Sequence, residues 1–322
     1  MFKNHKTFSI LLLILASVAS PPATAMNYVD YFNQSVLRVE PKEELKISAS
    51  LGIGSHVNSL IVRDDRNSYS LETTNRNLYL LGIDVNDRTH FLLQVPFKDP
   101  AQSRQSRVDS DVRSYSISYN WTPAISSSLS FYKNKGFLLE NYNDTHRNYL
   151  LPGLSVDQYS GMLYYLSNPK HQSIFIDPIV YKKASDSSSW ICILGIDHTD
   201  VNNLKDIQIL PSSTKSNLNS AQVDSLVGRI AYSKNWFWKN WYTTGAIGGG
   251  LHAHSIIAFS ESDKISEVHA QINFLISLSA GYIWPTFSTG AFVNQATTQY
   301  QFENINLATN FGNMGMFISY QF

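Results

Sequence analysis

The sequence predicts an all-β fold, namely a closed antiparallel up-and-down transmembrane β-barrel of about 12 strands, within a range of roughly 10 to 14. Three observations carry this prediction. Polar and apolar residues alternate along the chain, charged residues make up only 16% while aromatic residues make up 13%, and the last residue is aromatic. A typical soluble domain has about 25% charged residues, because its outer surface faces water. We therefore expect an outer surface that faces lipid.

The longest alternating segment runs from Val268 to Tyr282. Apolar residues occupy every second position, and the positions between them are polar or small, with Leu275 as the exception. This period of two is typical of a β-strand with two different faces. The segment is about 15 residues long, well beyond the roughly 5–6 of globular sheets, and a tilted strand needs only about 9–11 residues to cross a bilayer.

Strand-like patterns recur through the remainder of the chain. Bacterial barrels contain an even number of strands. The number of segments below is odd, so we expect one of them to be split or missed, and we place that error before residue 160. The segments lie at 44–54, 77–85, 90–97, 113–121, 127–133, 157–166, 172–182, 189–198, 224–234, 240–253, 267–283, 286–298 and 309–322.

The composition excludes several other classes of protein. A net formal charge of 0 argues against a nucleic-acid binder, which needs a basic surface. Beyond the N-terminus, no apolar stretch approaches the roughly 18 residues of a transmembrane helix. The single cysteine, Cys192, excludes a disulfide framework and a multi-cysteine metal site. In an exported chain we expect this thiol to be buried or to face lipid.

The first residues have the pattern of an export signal. Lys3 and Lys6 precede an apolar stretch at 8–18, and Ala23 and Ala25 form an A-x-A cleavage motif. We expect cleavage after Ala25, with a short transmembrane anchor as the alternative. The predicted location is the bacterial outer membrane. The predicted regions are a signal peptide at 1–25, an N-terminal periplasmic segment at 26–43 and an outer-membrane barrel at 44–322.

The C-terminal residues resemble the closing strand that the outer-membrane barrel assembly machinery recognises. Met316, Ile318, Tyr320 and Phe322 fall on one face of a strand that ends in an aromatic residue. We therefore expect this machinery to be a partner during insertion, and outer-membrane lipid to be the permanent surroundings of the barrel.

The tryptophans provide a second check on the membrane interpretation. All of them lie at or near the ends of predicted strands, where amphipathic rings prefer the level of the lipid headgroups. We predict that they form an aromatic girdle. Its members are Trp121, Trp190, Trp236, Trp238, Trp241 and Trp284.

The polar faces of the strands predict the lining of the lumen. Mixed charges in this set favour weak ion selectivity if the lumen is open. The alternative is that these side chains hydrogen-bond to one another and plug the lumen. Barrels of about 12 strands lie between filled and open sizes. The predicted lining residues are Lys46, Asp84, His90, Gln94, Asn120, Asp177, Asp197, Arg229, His269, Gln271, Asn273 and Gln295.

Two short motifs contain residue types that bind metal ions. His252 and His254 point the same way on a strand, and Asp197 to Asp200 contains two carboxylates and an imidazole. A pair at the barrel rim and a solvated turn are the more ordinary interpretations of these motifs. We predict no metal site and no cofactor.

The sequence also predicts no catalytic residue. A lipid hydrolase in the membrane needs a Ser and a His that face the lipid. His90, Ser116, His269 and Ser279 lie on the polar faces of their strands, and we expect them to point inward.

Five motifs occur in order along the mature chain and carry a family resemblance. They are Asn75 followed by 78–84, the aromatic segment 131–137, the turn 165–170, the segment 182–185 before the strand 190–197, and the closing residues 319–322. Together they resemble the uncharacterised bacterial outer-membrane barrels grouped as domain of unknown function DUF4421. The chain departs from the family pattern at Thr74, where a Pro is usual, and at Gln321, where Arg is common. The resemblance implies an outer-membrane barrel and supplies no catalytic residue.

Three functional hypotheses remain open at this point. The leading one is a monomeric outer-membrane barrel that acts as a passive pore or small-solute conduit. The second is a structural or adhesive barrel with a plugged lumen and functional surface loops. The third is a membrane-embedded lipid-modifying enzyme. None of the three involves nucleic acid.

Overall fold

The computed structural model describes residues 46–63, 68–73, 77–97, 111–139, 149–176, 185–204, 218–260, 264–302 and 305–322. They belong to the unit Leu45–Phe322, and most of them lie in the strands of one sheet. The described residues contain no helix that is long and apolar enough to cross a membrane. The strands are β1 (Ile47–Arg63), β2 (Ser68–Thr73), β3 (Asn77–Val85), β4 (Thr89–Pro96), β5 (Asp111–Thr122), β6 (Ile125–Leu139), β7 (Tyr149–Leu166), β8 (Ser187–Asn202), β9 (Leu218–Trp238), β10 (Trp241–Ser260), β11 (Lys264–Ile283), β12 (Phe287–Phe302) and β13 (Ile305–Gln321).

The sheet closes on itself through its first and last strands. β13 runs antiparallel to β1, from Gln321 opposite Ser48 to Asn306 opposite Arg63. β2 and β3 both pair with β1: β2 pairs with residues 59–63 of β1, and β3 pairs with residues 47–55 of β1. The two short strands therefore act as one interrupted strand. Counted in this way, the 13 strands occupy 12 positions in the wall. The predicted closed antiparallel barrel of 12 strands is confirmed.

Tight turns join the strands at the end of the barrel that carries Ser48 and Gln321, termed the terminal end. Asn86 and Asp87, between β3 and β4, have φ angles of 55° and 53°. Two successive positive φ angles are typical of a type I′ turn, which matches the twist of the flanking strands. The opposite end, where the chain crosses from β6 to β7 and from β8 to β9, is termed the loop end.

The hairpin of β4 and β5 is a wedge inserted into the wall at the terminal end only. There residues 125–135 of β6 pair with β5, whereas residues 137–139 of β6 pair with residues 71–73 of β2. Gly136, at the change of partner, has a φ of 87°, which glycine adopts without strain. The wall at the loop end therefore consists of β1, β2 and β6 to β13, which is ten strands.

The outward face of the barrel is a continuous apolar band. On β11, Val268, Ile272 and Phe274 are 76%, 64% and 69% exposed. The outward apolar residues from Val268 to Ala280 span about 40 Å along the strand. At a tilt of about 45° this length covers about 28 Å along the barrel axis, which matches an apolar band about 25 Å tall. The barrel is therefore a transmembrane one.

The predicted strand at 172–182 is wrong over its described part. Residues 171–176 form turns and irregular chain, and 177–182 lie outside the described residues. The surplus segment follows residue 160, whereas the strand that was missed, β2 at 68–73, precedes it as expected. Ile174 and Ile176, two positions apart, resemble one face of a strand in the sequence because both pack towards the barrel interior. The short β2 was not predicted, and several strands are longer than expected, as β9 at 218–238 shows against 224–234.

An aromatic cluster fills one side of the lumen. Tyr242 of β10 is 2% exposed and packs with Phe292 and Phe317 from β12 and β13. Two glycines make room for its ring. A Cβ on Gly281 would lie 2.6 Å from Cε1 of Tyr242, and a Cβ on Gly290 would lie 2.1 Å from its Oη. Neighbouring strands are thus held together by a ring that lies over bare backbone.

We predict that Gly290→Ala destabilises the barrel by about 1–3 kcal/mol, as overpacking of a filled core does. The new Cβ would also lie 2.9 Å from the carbonyl oxygen of Ala280, so the ring and the backbone both resist it. Urea titration of the folded protein in detergent measures the free energy of unfolding.

The matched control is Gly228→Ala, because the nearest atom to a Cβ there is Cδ2 of Leu194 at 4.0 Å. Adding Tyr242→Phe to Gly290→Ala removes the clashing Oη and should restore part of the lost stability. Equal effects of Gly290→Ala and Gly228→Ala would contradict the proposed role of the ring.

Candidate functional site: the barrel lumen and the segment that closes it

Hydroxyl groups line the lumen at the terminal end. They come from strands all around the wall, and each of their side chains is buried. Small hydroxyls leave space at the centre of a barrel of this size. The inward members are Ser48, Ser50, Ser118, Ser126, Ser189, Ser233, Thr244, Ser279, Ser288 and Ser319.

Residues 167–176, termed the plug segment, follow β7 and fold into this space. Asn168 fixes its start. The side-chain amide of Asn168 donates to the carbonyl of Ser188 at 3.0 Å, its backbone N–H donates to Oγ of Ser189 at 3.1 Å, and its Oδ1 accepts from the N–H of Lys170 at 3.1 Å. An Asn followed by Pro169 is a typical turn signal. These bonds turn the chain inward at the first residues after the strand.

The plug segment reaches from one side of the lumen to the other. Asn235 of β9 donates to the carbonyl of Gln172 at 2.9 Å, and Oγ of Ser118 on β5 donates to the carbonyl of Ile176 at 3.3 Å. Ile174 is 3% exposed. Phe175 and Ile176 pack against a buried apolar cluster from β7, β8, β9 and β11. The segment therefore lies inside the lumen at the terminal end, held between β9 and β5.

His171 is the central polar residue of the plug segment and is 4% exposed. Its Nδ1 is 3.1 Å from Oγ of Ser187, and its Nε2 is 2.8 Å from Oγ of Ser233. A neutral imidazole donates through one nitrogen and accepts through the other, and a hydroxyl suits either role. Burial lowers the pKa of His171 to about 4, although a hydrogen bond with Ser187 opposes this shift. The imidazole is therefore neutral at neutral pH.

A second polar network lies on the inner face of β9, β10 and β11. Nη2 of Arg229 donates to Nε2 of His252 at 2.6 Å, and the amide of Asn273 contacts the same nitrogen. Oγ of Ser225 is 2.8 Å from Nδ1 of His254, which is fully buried. His252 and His254 thus belong to a lumen network rather than to an exposed rim. Within the described chain, no group of three or more His, Cys, Asp or Glu side chains could hold a metal ion.

Most of the predicted lining residues lie on the inner face. At the terminal end, a carboxylate oxygen of Asp84 contacts Nδ1 of His90, and Nε2 of His90 is 3.1 Å from the amide of Asn120. Further towards the loop end, Nε2 of His269 is 2.7 Å from Glu267. The others that the structure places on the inner face are Gln94, Asp197, Arg229, Gln271 and Asn273.

Two predicted lining residues, Gln295 and Lys46, do not have that position, and a third prediction, Asp177, is untested. Gln295 lies opposite Ile276 and shares its outward face, because Phe292 turns inward to pack against Phe317. Lys46 precedes β1 at the terminal end and is exposed. Asp177 lies outside the described residues. The prediction for Gln295 is wrong, since it assumed that each polar residue of β12 faces the lumen.

The six tryptophans all lie at the terminal end and are all exposed on the outward face. Trp121 is the next-to-last residue of β5, Trp190 is the fourth residue of β8, and Trp238 and Trp241 flank the turn between β9 and β10. Lys234 and Lys239 lie over the rings of Trp236 and Trp238. The outward C-terminal residues Met316, Ile318, Tyr320 and Phe322 are exposed at the same end. The proposed cleavage residues Ala23 and Ala25 lie outside the described residues.

The apolar outside, the closed ring and the matching motifs point to one family, and a family model matches residues 41–322. The chain belongs to the DUF4421 family, a domain of unknown function. The resemblance of the sequence motifs to DUF4421 is thereby confirmed. No curated protein matches this DUF4421 chain.

Several solved barrels are similar in fold. The outer membrane protease OmpT from Escherichia coli has 7% identity and a TM-score of 0.38, covering 88% of this chain and 99% of that chain. The translocator domain of the autotransporter NalP from Neisseria meningitidis has 10% identity and a TM-score of 0.40, covering 93% and 95%. The toluene transporter TodX from Pseudomonas putida has 8% identity and a TM-score of 0.31, covering 85% and 89%. These values assign no activity to the DUF4421 chain.

We predict that acid weakens the plug segment. Protonation of a buried neutral imidazole is unfavourable, so the stability that His171 contributes is fully present above its ordinary pKa of about 6.5 and is lost as the pH falls towards about 4. One pKa unit corresponds to about 1.4 kcal/mol, so the loss is at most on the order of 3 kcal/mol. Urea titrations of the wild type and of His171→Gln at a series of pH values measure this difference.

His171→Gln keeps a donor and an acceptor but does not titrate, so its stability should fall less between neutral pH and pH 4. Parallel pH profiles of the two proteins would contradict the role assigned to His171.

Proposed function

We propose that this protein is an outer-membrane barrel whose terminal end faces the periplasm. Outer-membrane barrels have short periplasmic turns and longer external loops. The turns at 86–88, 123–124 and 239–240 support this orientation. The tryptophan girdle then lies at the headgroups of the periplasmic leaflet. Outer-membrane lipid surrounds the barrel, and the C-terminal strand serves as the signal for the barrel assembly machinery.

Within that location we propose a conduit for small polar solutes that is closed at rest. The observation that carries this proposal is the plug segment lying across a lumen lined by hydroxyl groups. A permanent core is expected to be apolar, whereas the wall behind this segment would suit the passage of polar solutes once the segment moved. Ser118, Ser233 and Asn235 hold the segment through hydrogen bonds that water can replace.

The buried polar side chains in the middle of the barrel favour a second function. His252, His254 and Asn273 are at most 3% exposed, so side chains as well as the plug segment fill the lumen. A fully filled barrel would serve as a structural or adhesive platform for its surface loops. A measurement of ion flow separates this alternative from the conduit.

We propose no enzymatic activity. The Ser225 and His254 pair has the atoms of a nucleophile and a base, but both side chains are buried on the inner face. A hydrolase of membrane lipid needs this pair on the lipid side. The arrangement supports a packing role for these two residues.

We predict that replacing 169–176 by a Gly/Ser chain of equal length opens the lumen. Single-channel recordings in planar bilayers should give stepwise current for this variant and rare or no opening for the wild type, because only the wild type keeps the lumen crossed. Heat-modifiable gel migration checks that both proteins are folded.

The matched control is His171→Gln, which retains hydrogen bonding to Ser233 and should stay closed at neutral pH. A silent but folded replacement variant would favour the filled, structural barrel. An equally conducting wild type would instead mean that the plug segment does not close the lumen.

We predict that the opened variant prefers cations. The described inward side chains include three carboxylates, those of Asp84, Asp197 and Glu267, but only one guanidinium, that of Arg229. Charged rings inside a pore set its selectivity. Reversal potentials in a salt gradient should report this preference. Arg229→Gln should raise it, and Asp197→Asn should lower it, each by about twofold or more at low salt, where screening is weak.

Lys234→Gln is the matched control, because Lys234 lies on the same strand as Arg229 but on the outward face, 5.0 Å from the ring of Trp236. An anion preference in the opened variant would contradict the assignment, as would equal shifts from Lys234→Gln and Arg229→Gln.

A further inference from the structure

A cleft of about 420 Å³ opens at the terminal end beside the plug segment. Its walls come from three parts of the chain: the turn between β3 and β4, the turn between β5 and β6, and the plug segment itself. The size is within the range of small-molecule sites, which is about 300–1,000 Å³. The cleft is separate from the polar network of β9 to β11.

The wall opposite the plug segment is held rigidly by hydrogen bonds. Oγ of Ser126 donates to Oδ1 of Asn120 at 2.6 Å, and the amide of Asn120 donates to the carbonyl of Asp87 at 2.9 Å. The backbone N–H of Asp87 donates to Oδ1 of Asp84 at 3.0 Å. The two turns are thereby tied to each other, and the cleft is preformed on this side. Preformed walls reduce the ordering cost of binding.

The carboxylates in the cleft are already engaged. Asp84 is 2% exposed and its carboxylate contacts Nδ1 of His90, and Asp87 has interactions of its own. The two cations are different. Arg88 and Lys170 are exposed, and among the described residues neither side chain has an ion pair or hydrogen bond. These two cations, one in each wall and both without a partner among the described residues, are placed to contact the negative charge of a ligand.

The remainder of the lining is suited to an apolar group. Leu166 and Ile176 line the interior of the cleft, and Trp121 of the girdle lies at its edge. Ligand sites commonly combine an apolar lining with a few polar groups that fix orientation. A small molecule with one apolar part and one anionic end satisfies both features.

We propose that this cleft binds a small organic anion, a carboxylate or phosphate carried on an apolar group, between Arg88 and Lys170. The apolar part lies against Leu166 and Ile176. The same chemistry occurs in a free solute and in the headgroup of an anionic lipid at the level of Trp121.

The position of Lys170 gives the site a consequence for the plug segment, and this part rests on the proposed conduit function. Arg88 belongs to the barrel wall, whereas Lys170 belongs to the plug segment. An anion held by both residues joins the segment to the wall. It binds best when the plug segment is in place, so it stabilises the closed state by its differential affinity.

Calorimetric titration of the folded wild type in a zwitterionic detergent tests the site, with hexanoate and hexyl phosphate as probes and hexanol and hexylamine as comparators. The anions should bind and the comparators should bind more weakly. Arg88→Gln and Lys170→Gln should each weaken anion binding about threefold to tenfold, as loss of a partly exposed ion pair does. The double variant should bind hexyl phosphate no better than hexanol.

Lys239→Gln is the matched control, because Lys239 is an exposed cation in a turn at the same end but does not line the cleft. Equal weakening by Lys239→Gln would overturn the proposal, as would a wild type that does not distinguish hexanoate from hexanol. Heat-modifiable migration confirms the folding of each variant.

A further titration with dihexanoyl phosphatidylglycerol identifies the source of the anion. Tighter binding than hexyl phosphate supports a lipid headgroup, and weaker binding supports a free solute. Failure of every anion overturns the site. Because calorimetry needs no current, anion binding without conductance would overturn only the conduit, and conductance without anion binding would overturn only this inference.

Discussion

Lipid offers no hydrogen bonds to a peptide backbone, and the remainder of the structure depends on this constraint. A sheet in hydrocarbon must pair all of its strands with one another, so β13 has to meet β1. Closure divides the side chains into an outward set that contacts lipid and an inward set that contacts the lumen. The low charge and high aromatic content of the chain follow from that division, because neither set needs many ionised groups.

The inward set is less uniform than closure alone requires. On one side, Tyr242 packs over glycines and joins Phe292 and Phe317 in an apolar cluster. On the other, the plug segment brings His171 to hydroxyl groups of β8 and β9. A 12-stranded ring is too wide for wall side chains alone to fill as they do in small barrels. The plug segment supplies part of the missing volume, which is why a connection between strands takes part in the core.

The sequence predicts the wall well and the contents of the lumen poorly, for a physical reason. The alternation along Val268 to Tyr282 distinguishes the strand face that contacts lipid from the face that does not. Few polar residues occur on the lipid face. The lumen permits apolar and polar residues alike, so Phe292 points inward, whereas Gln295 is one of the few polar exceptions on the outward face. Residues 172–176 misled the same reasoning, because a segment packed against a wall can show a period of two. Asn168 and Pro169, a turn signal directly after a strand, indicate that the chain bends there. No local pattern indicates that His171 reaches Ser233, since 62 residues separate the two.

The inserted hairpin of β4 and β5 bears on how a barrel of this kind changes its size. At the loop end the ring is complete without these two strands, because β2 already pairs with β6. If β4 and β5 were removed and β3 paired with β6 in the register that places Leu71 opposite Leu139, Leu78 of β3 would lie opposite Tyr132 of β6. Both of these side chains face the lumen. The hairpin is therefore a module that an ancestral gene could gain or lose as a unit, with the remaining strands keeping their register and their orientation towards lipid. The wall geometry is therefore compatible with a barrel of two fewer strands.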